Sequence, residues 1–164
     1  MSEPVLTAQE ALKWSKSTAS RWRTLLTAQP AILALPCTIA RTETVAQLLQ
    51  HIVAVELRYA ERILGKPETD YASIPYDSVE AIYSTHLRAA ALYEEALNAN
   101  LDWDKTIEFT TRTHGSARAS LKTIFFHAIF HGIRHYAQLG TLIREHGYTA
   151  DWPGDYLFMG VTRL

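Results

Sequence analysis

Cysteine is almost absent from this 164-residue chain, where Cys37 stands alone. An internal disulfide is therefore excluded, and so is any zinc finger or ribbon built on cysteine pairs. Long apolar runs are missing as well. No stretch approaches the ~18–20 apolar residues that cross a bilayer, so no membrane partner is expected. Neither sign of charge is in surplus: 16 Lys+Arg stand against 17 Asp+Glu, for a formal net charge of −1. The two signs also balance on either side of Ile82. No basic stripe reaches the density that phosphate-backbone binding needs, and nucleic acid is not an expected partner. Met1-Ser2-Glu3-Pro4 has no positive n-region, and an amphipathic segment follows it, so a cytoplasmic location is the expectation. Also lacking are a P-loop, a dinucleotide-binding glycine pattern, a Ser-His-Asp order and the Glu-x-x-His pairs of di-iron bundles.

The apolar fraction of 48% and charged fraction of 20% are those of a globular chain, and the length suits one domain, residues 1–164, with a real core. Punctuation divides it into four long helical blocks. The first runs from about Thr7 to Gln29, opened by Thr7 and Glu10 as a capping box and stopped by Pro30. A loop from Pro30 to Thr42, with one short helical turn, contains Cys37, which reads as a small buried apolar residue. The second block, about Thr44 to Leu64, places Val45, Leu48, Leu49, Ile52, Tyr59 and Ile63 on one stripe and ends at Gly65-Lys66-Pro67. The third runs from Asp77 or Ser78 to about Asn98. Between Trp103 and Thr113, β-branched and aromatic residues point to a short extended segment or hairpin. The fourth block is expected over Ser116 to His146, closed by Gly147. The aromatic tail from Tyr148 to Leu164 should lie back on the bundle. The fold class is all-α, a four-helix bundle with a long decorated connection before the last helix.

The fourth helix carries His127-Ala-Ile-Phe-His131-Gly-Ile-Arg-His135. Residues four apart differ by only about 40° around a helix, so His131 and His135 project together, the spacing with which one helix gives two imidazoles to one ion. Leu121, Phe125, Ala128, Gly132 and Leu139 centre the apolar stripe. His135 and His131 fall within about 40° and 80° of that centre and His127 at about 120°, which makes His127 either peripheral or a candidate to support a ligand histidine or act as an acid or base. A third donor is expected from another helix, and His51, at the edge of the second helix's stripe, is the best placed. Three imidazoles leave positions open on an ion for water and substrate. A lone His on an apolar face is ordinarily a satisfied core residue, whereas three at successive i, i+4 positions with another on a second helix form a pattern.

Other residues can carry chemistry. Glu56 lies near the centre of the second helix's stripe, as a carboxylate orienting a ligand His, as a general base, or in a salt bridge or tyrosine contact across the core. His86, between Ile82 and Ala90, can reach the same cavity or be structural. Phe126, Ile129, Phe130, Ile133 and Ala137 fall away from the fourth helix's stripe. A helix apolar nearly all round is covered on both sides, and a homodimer through this face is the expected cover, with the tail doing part of it.

The order of helices, His51 leading into Val55-Glu56-Leu57-Arg58-Tyr59-Ala60-Glu61-Arg62, and the run His127…His131…His135-Tyr136-Ala137-Gln138-Leu139 resemble the DinB family of the DinB/YfiT-like superfamily. The tail Tyr148…Trp152-Pro153-Gly154-Asp155-Tyr156 is similar too. The resemblance implies a divalent metal held by His51, His131 and His135, with Gln138 at a family position and a candidate to support the ligands or take part in acid/base chemistry beside them. The family commonly has Arg-Gly-Gln after the last His. Here Tyr136 and Ala137 replace the Arg and Gly, which leaves no counterpart for that Arg.

Two function classes follow. In one, a zinc, nickel or iron ion (three neutral imidazoles accept copper also) activates water or a low-molecular-weight thiol toward a small-molecule substrate. The resemblance steers this toward hydrolase or thiol S-transferase chemistry, since superfamily relatives use such thiols. In the other, the bundle is a non-catalytic metal- or ligand-binding stress protein. Fold resemblance does not choose between them.

Overall fold

In a computed structural model that describes residues 3–162 and 164, four α-helices form wherever the sequence supplies both an apolar stripe and a cap. Helix α1 (Ala8–Ala28) opens on the expected capping box. The Thr7 Oγ1 accepts from Glu10 N–H at 3.2 Å, and Thr7 N–H donates to Glu10 Oε2 at 2.8 Å. Thr44 caps α2 (Val45–Ile63), and Ser78 rather than Asp77 caps α3 (Val79–Asn98), each accepting from the backbone N–H three residues on. Each cap satisfies a donor that the first helical turn leaves without an intrahelical partner. Helix α4 spans Leu121–Glu145, and Gly147 follows it at φ +83°, a left-handed turn that glycine takes without a Cβ clash.

The start of α4 differs from expectation. Ser116–Ser120 is not helical. It belongs to strand β2 (Gly115–Ser120), which pairs antiparallel with β1 (Thr106–Thr111), Thr106 facing Ser120 and Thr111 facing Gly115. The small residues and Arg118 in this stretch suit a helix, but β1 exposes a row of backbone groups that needs a partner, and pairing overrides local propensity. Ser120 is then the cap of α4, accepting from Thr123 N–H at 3.1 Å. The decorated connection before the last helix is thus a β-hairpin. Similarly, the Pro30–Thr42 connection holds two short 3-10 turns, Pro30–Ala34 and Ile39–Arg41, instead of one.

The helices pack as a ring in which α2 touches α3 and α4, and α1 touches the same two neighbours. Helices α1 and α2 face each other across the diagonal, and the first 3-10 turn packs on both as the chain crosses over. The interior is a continuous cluster that takes in Leu26, Ile32, Leu48, Ile52, Ile82, Tyr83, Phe125 and Leu139, all under 2% exposed. Cys37 is buried, as expected. Tyr136 is buried as well. It stacks on Trp22 at 5.7 Å and its hydroxyl donates to the Tyr83 hydroxyl at 3.3 Å, so this position serves the core.

The tail lies mainly on α1. Trp152 meets Trp22 edge-on at 5.2 Å, and Tyr156 meets Trp14 in the same manner at 5.2 Å, while Leu157 and Phe158 stay exposed. On α4, Ile129 is not on an outer face. It is 1% exposed, because α4 packs against both α1 and α2 and its buried arc is wider than one stripe. Phe130 remains exposed, stacked on Phe126 at 5.8 Å, and Ala137 is exposed too. Among the described residues, no helix is long and apolar enough to cross a membrane.

Candidate metal centre

Helix α2 and helix α4 run side by side with their histidines facing. His131 and His135 lie one turn apart on α4, and His51 approaches them from α2. The His51 Nε2 is 3.0 Å from the His131 Nε2, which is itself 3.2 Å from the His135 Nε2. The three rings meet edge to face, with centroids 4.4 to 5.2 Å apart. These are the three histidines that spacing and the helical wheel single out. Together they are a group positioned to hold a metal ion.

The donor chemistry fits an ion. Ligand nitrogens ~2.0–2.1 Å from one ion, at tetrahedral to octahedral angles, stand about 2.9–3.4 Å apart, the spacing of the His51–His131 and His131–His135 pairs, and all three donor atoms lie within 4.8 Å of one another. The His135 Nδ1–H donates to Gln138 Oε1 at 2.7 Å, which keeps the proton on Nδ1 and leaves the Nε2 lone pair facing the cluster. The Nδ1 of His131 is buried with no hydrogen-bond partner among the described residues, so this ring's polarity is spent at Nε2. A buried imidazole unsatisfied on one side has to gain on the other.

Electrostatics keeps the cluster neutral. Burial pushes the His51 pKa down to about 4, and His135, Arg112 and Arg134 push the same way. Burial lowers His131 further, with the neighbouring histidines and Arg134 adding to it. His135 is lowered by burial and Arg134, against the opposing hydrogen bond of Gln138. Neutral imidazoles are the form that binds a metal, and three whose nitrogens converge cannot all carry protons in so small a space.

The remaining candidates divide. His127 is exposed at the rim, its ring 5.6 Å from His131 and 5.4 Å from Tyr59, outside the converging group. Gln138 orients His135. Glu56 does not enter the cluster. Its Oε2 accepts from His86 Nδ1 at 2.7 Å in the core, and both side chains are nearly fully buried. Gly132 gives Glu56 room: a Cβ at that position would lie 3.3 Å from Glu56 Oε1. His86 is therefore Glu56's partner, and its pKa is raised. Burial opposes the charge, but the carboxylate and its hydrogen bond outweigh it.

Two arginines that helical periodicity does not single out stand beside the cluster. Arg134 Nη2 donates to His135 Nε2 at 3.3 Å. Arg112, in the turn between β1 and β2, lies 3.7 Å over the Tyr71 ring, and its positive charge is among the causes that lower the His51 pKa. Arg134 is adjacent in sequence to a ligand position, whereas only the folded hairpin brings Arg112 near.

No curated protein matches the chain. The model of the DinB family matches residues 1–159, a span that takes in all four helices, the hairpin and the three converging histidines. This chain belongs to the DinB family.

Proposed function

We propose that the protein is a metal-dependent enzyme acting on a small molecule, in which His51, His131 and His135 hold one divalent transition ion through their Nε2 atoms. The observation that carries the reading is the convergence of three neutral donors from two helices, a set that leaves coordination positions for reactants. Such an ion supplies Lewis acidity, which lowers the pKa of a water or removes the proton of a thiol outright. The chain's own part is positional. Helices α2 and α4 hold the rings in register, Gln138 keeps the His135 proton on Nδ1, and burial keeps all three rings unprotonated.

Thiol transfer is favoured over hydrolysis by the placement of the carboxylates. Glu56, the buried carboxylate that α2 carries beside His51, is committed to His86 in the core. A thiol that coordinates the ion gives up its proton to solvent outright and needs no protein base, whereas a bound water is brought only to a pKa of about 7 and gains more from one. The reading extends to a homodimer across the Phe126–Phe130 face of α4, which sedimentation of the native chain and of Phe130→Glu would test.

The deciding experiment is elemental analysis of protein purified without an affinity tag, beside His51→Ala and His131→Ala. About one equivalent of a transition metal in the native chain, absent from both variants, is expected. That form is then assayed with low-molecular-weight thiols and electrophilic substrates. A native chain that neither holds nor takes up metal would overturn the reading.

A further inference from the structure

We propose that Arg112 and Arg134 form an oxyanion-binding rim on the histidine cluster, so that the substrate presents a carboxylate or phosphate beside the group that reacts. This rests on the metal-centre reading and adds its substrate class.

The hairpin packs against the C-terminal half of α2. Phe109 on β1 packs edge-on against Tyr59 at 6.2 Å, with the Arg62 guanidinium 4.4 Å from the Phe109 ring centre. Three residues on, Arg112 stacks on Tyr71. That segment is tied to α2 by Gln50, the neighbour of His51, whose Nε2 donates to Ile74 O at 2.7 Å. The aromatic face orients the planar guanidinium without using its N–H donors, which stay available to a ligand.

Arg134 approaches from the other wall. The contact made by its Nη2 is to the lone pair on His135 Nε2, the same lone pair a metal would take. An occupied centre therefore releases this guanidinium next to the ion. Neither arginine is paired with a carboxylate among the described residues, a state they share with Arg21, Arg41 and Arg144, whereas Arg23, Arg58, Arg62, Arg88 and Arg118 are paired.

Charge accounting points the same way. Three neutral imidazoles leave a divalent ion's charge uncompensated, and the charged groups that shift these rings are cationic. Two guanidiniums beside an uncompensated dication repel one another and the ion, a cost the fold gains nothing from in the absence of an anion. An oxyanion relieves it, and the guanidinium fork matches the geometry of carboxylate and phosphate oxygens. Arg112 then positions the substrate and takes no part in the chemistry at the ion.

The test uses the full chain loaded with cobalt(II), beside Arg112→Gln, Arg134→Gln and the double variant. All are checked for metal content and thermal unfolding, and both side chains are exposed, so folding should be retained. Calorimetric titration with inorganic phosphate and with succinate, at fixed ionic strength, reads the rim without any assay of turnover. Saturable binding of one or both anions is expected, weakened about tenfold in each single variant and abolished in the double variant. Phosphate alone would identify a phosphorylated substrate, and succinate alone a carboxylate; either supports the rim. Failure of both anions to bind, or equal binding to the metal-loaded double variant, would overturn it. If the native chain takes up no metal, the metal-centre reading fails by itself. Arginine-dependent anion binding to that metal-free chain would then still support the rim, and no binding would refute it.

Discussion

Replacing Gln138 by Leu removes the acceptor that the structure gives to the Nδ1–H of His135, a hydrogen bond of 2.7 Å. The change keeps the side chain's size and alters no ligand. Two consequences follow in physical terms. The Nδ1 proton is no longer anchored, so the ring samples the tautomer that presents N–H to the ion, and the ring becomes a weaker donor. Partners of this kind are worth about 10–100-fold in metal affinity. Gln138 is exposed, so water replaces part of the lost acceptor, and the expected loss is near the lower end, about tenfold or ~1.4 kcal/mol. Gln138→Glu should act in the opposite sense, because a carboxylate is the stronger acceptor. Competition against a chromophoric chelator at neutral pH reads both variants. Urea unfolding of the metal-free proteins is the control, and the Leu variant should stay within about 0.5 kcal/mol of the native chain, as for any surface substitution. Equal affinity in the Leu variant and native chain, or weaker binding in the Glu variant, would refute the argument that Gln138 sets the tautomer of His135.

Glu56→Ala should lower stability by about 2–4 kcal/mol in urea unfolding, since it leaves His86 without its partner in the core, while metal content stays unchanged. Loss of metal with stability intact would instead place Glu56 at the centre. The same pair predicts a pH dependence. His86 has a raised pKa in the folded chain against an ordinary value of 6.5, so the folded form holds a proton that the unfolded chain releases. The pair's contribution is complete below about 6.5 and is lost as pH rises through the raised value. The stability gap between native chain and Glu56→Ala should accordingly narrow with increasing pH, and a gap that widens would rule out a charged His86.

Much of the helical framework is determined by the sequence alone, because a helix is a local object. Thr7 with Glu10, Thr44 and Ser78 mark starts through bonds to residues three positions away, and apolar residues at 3.6-residue spacing mark the faces. The shared direction of His131 and His135 is local for the same reason, being set by one helical turn. Contacts between distant segments are not encoded that way. Ser116–Ser120 has helix-compatible residues and becomes a strand only because β1 needs a partner. Ile129 is buried because two helices, not one, pack on α4. Glu56 lies on the same helix as His51 yet is drawn to His86 on α3, a pairing that the stripe of α2 leaves undecided. Arg112 is 61 positions from His51 in the chain and comes near it because the hairpin folds along α2 and rests on Tyr71. Spacing along the chain thus determines which side chains share a face, whereas the packing of helices and hairpin decides what each face meets.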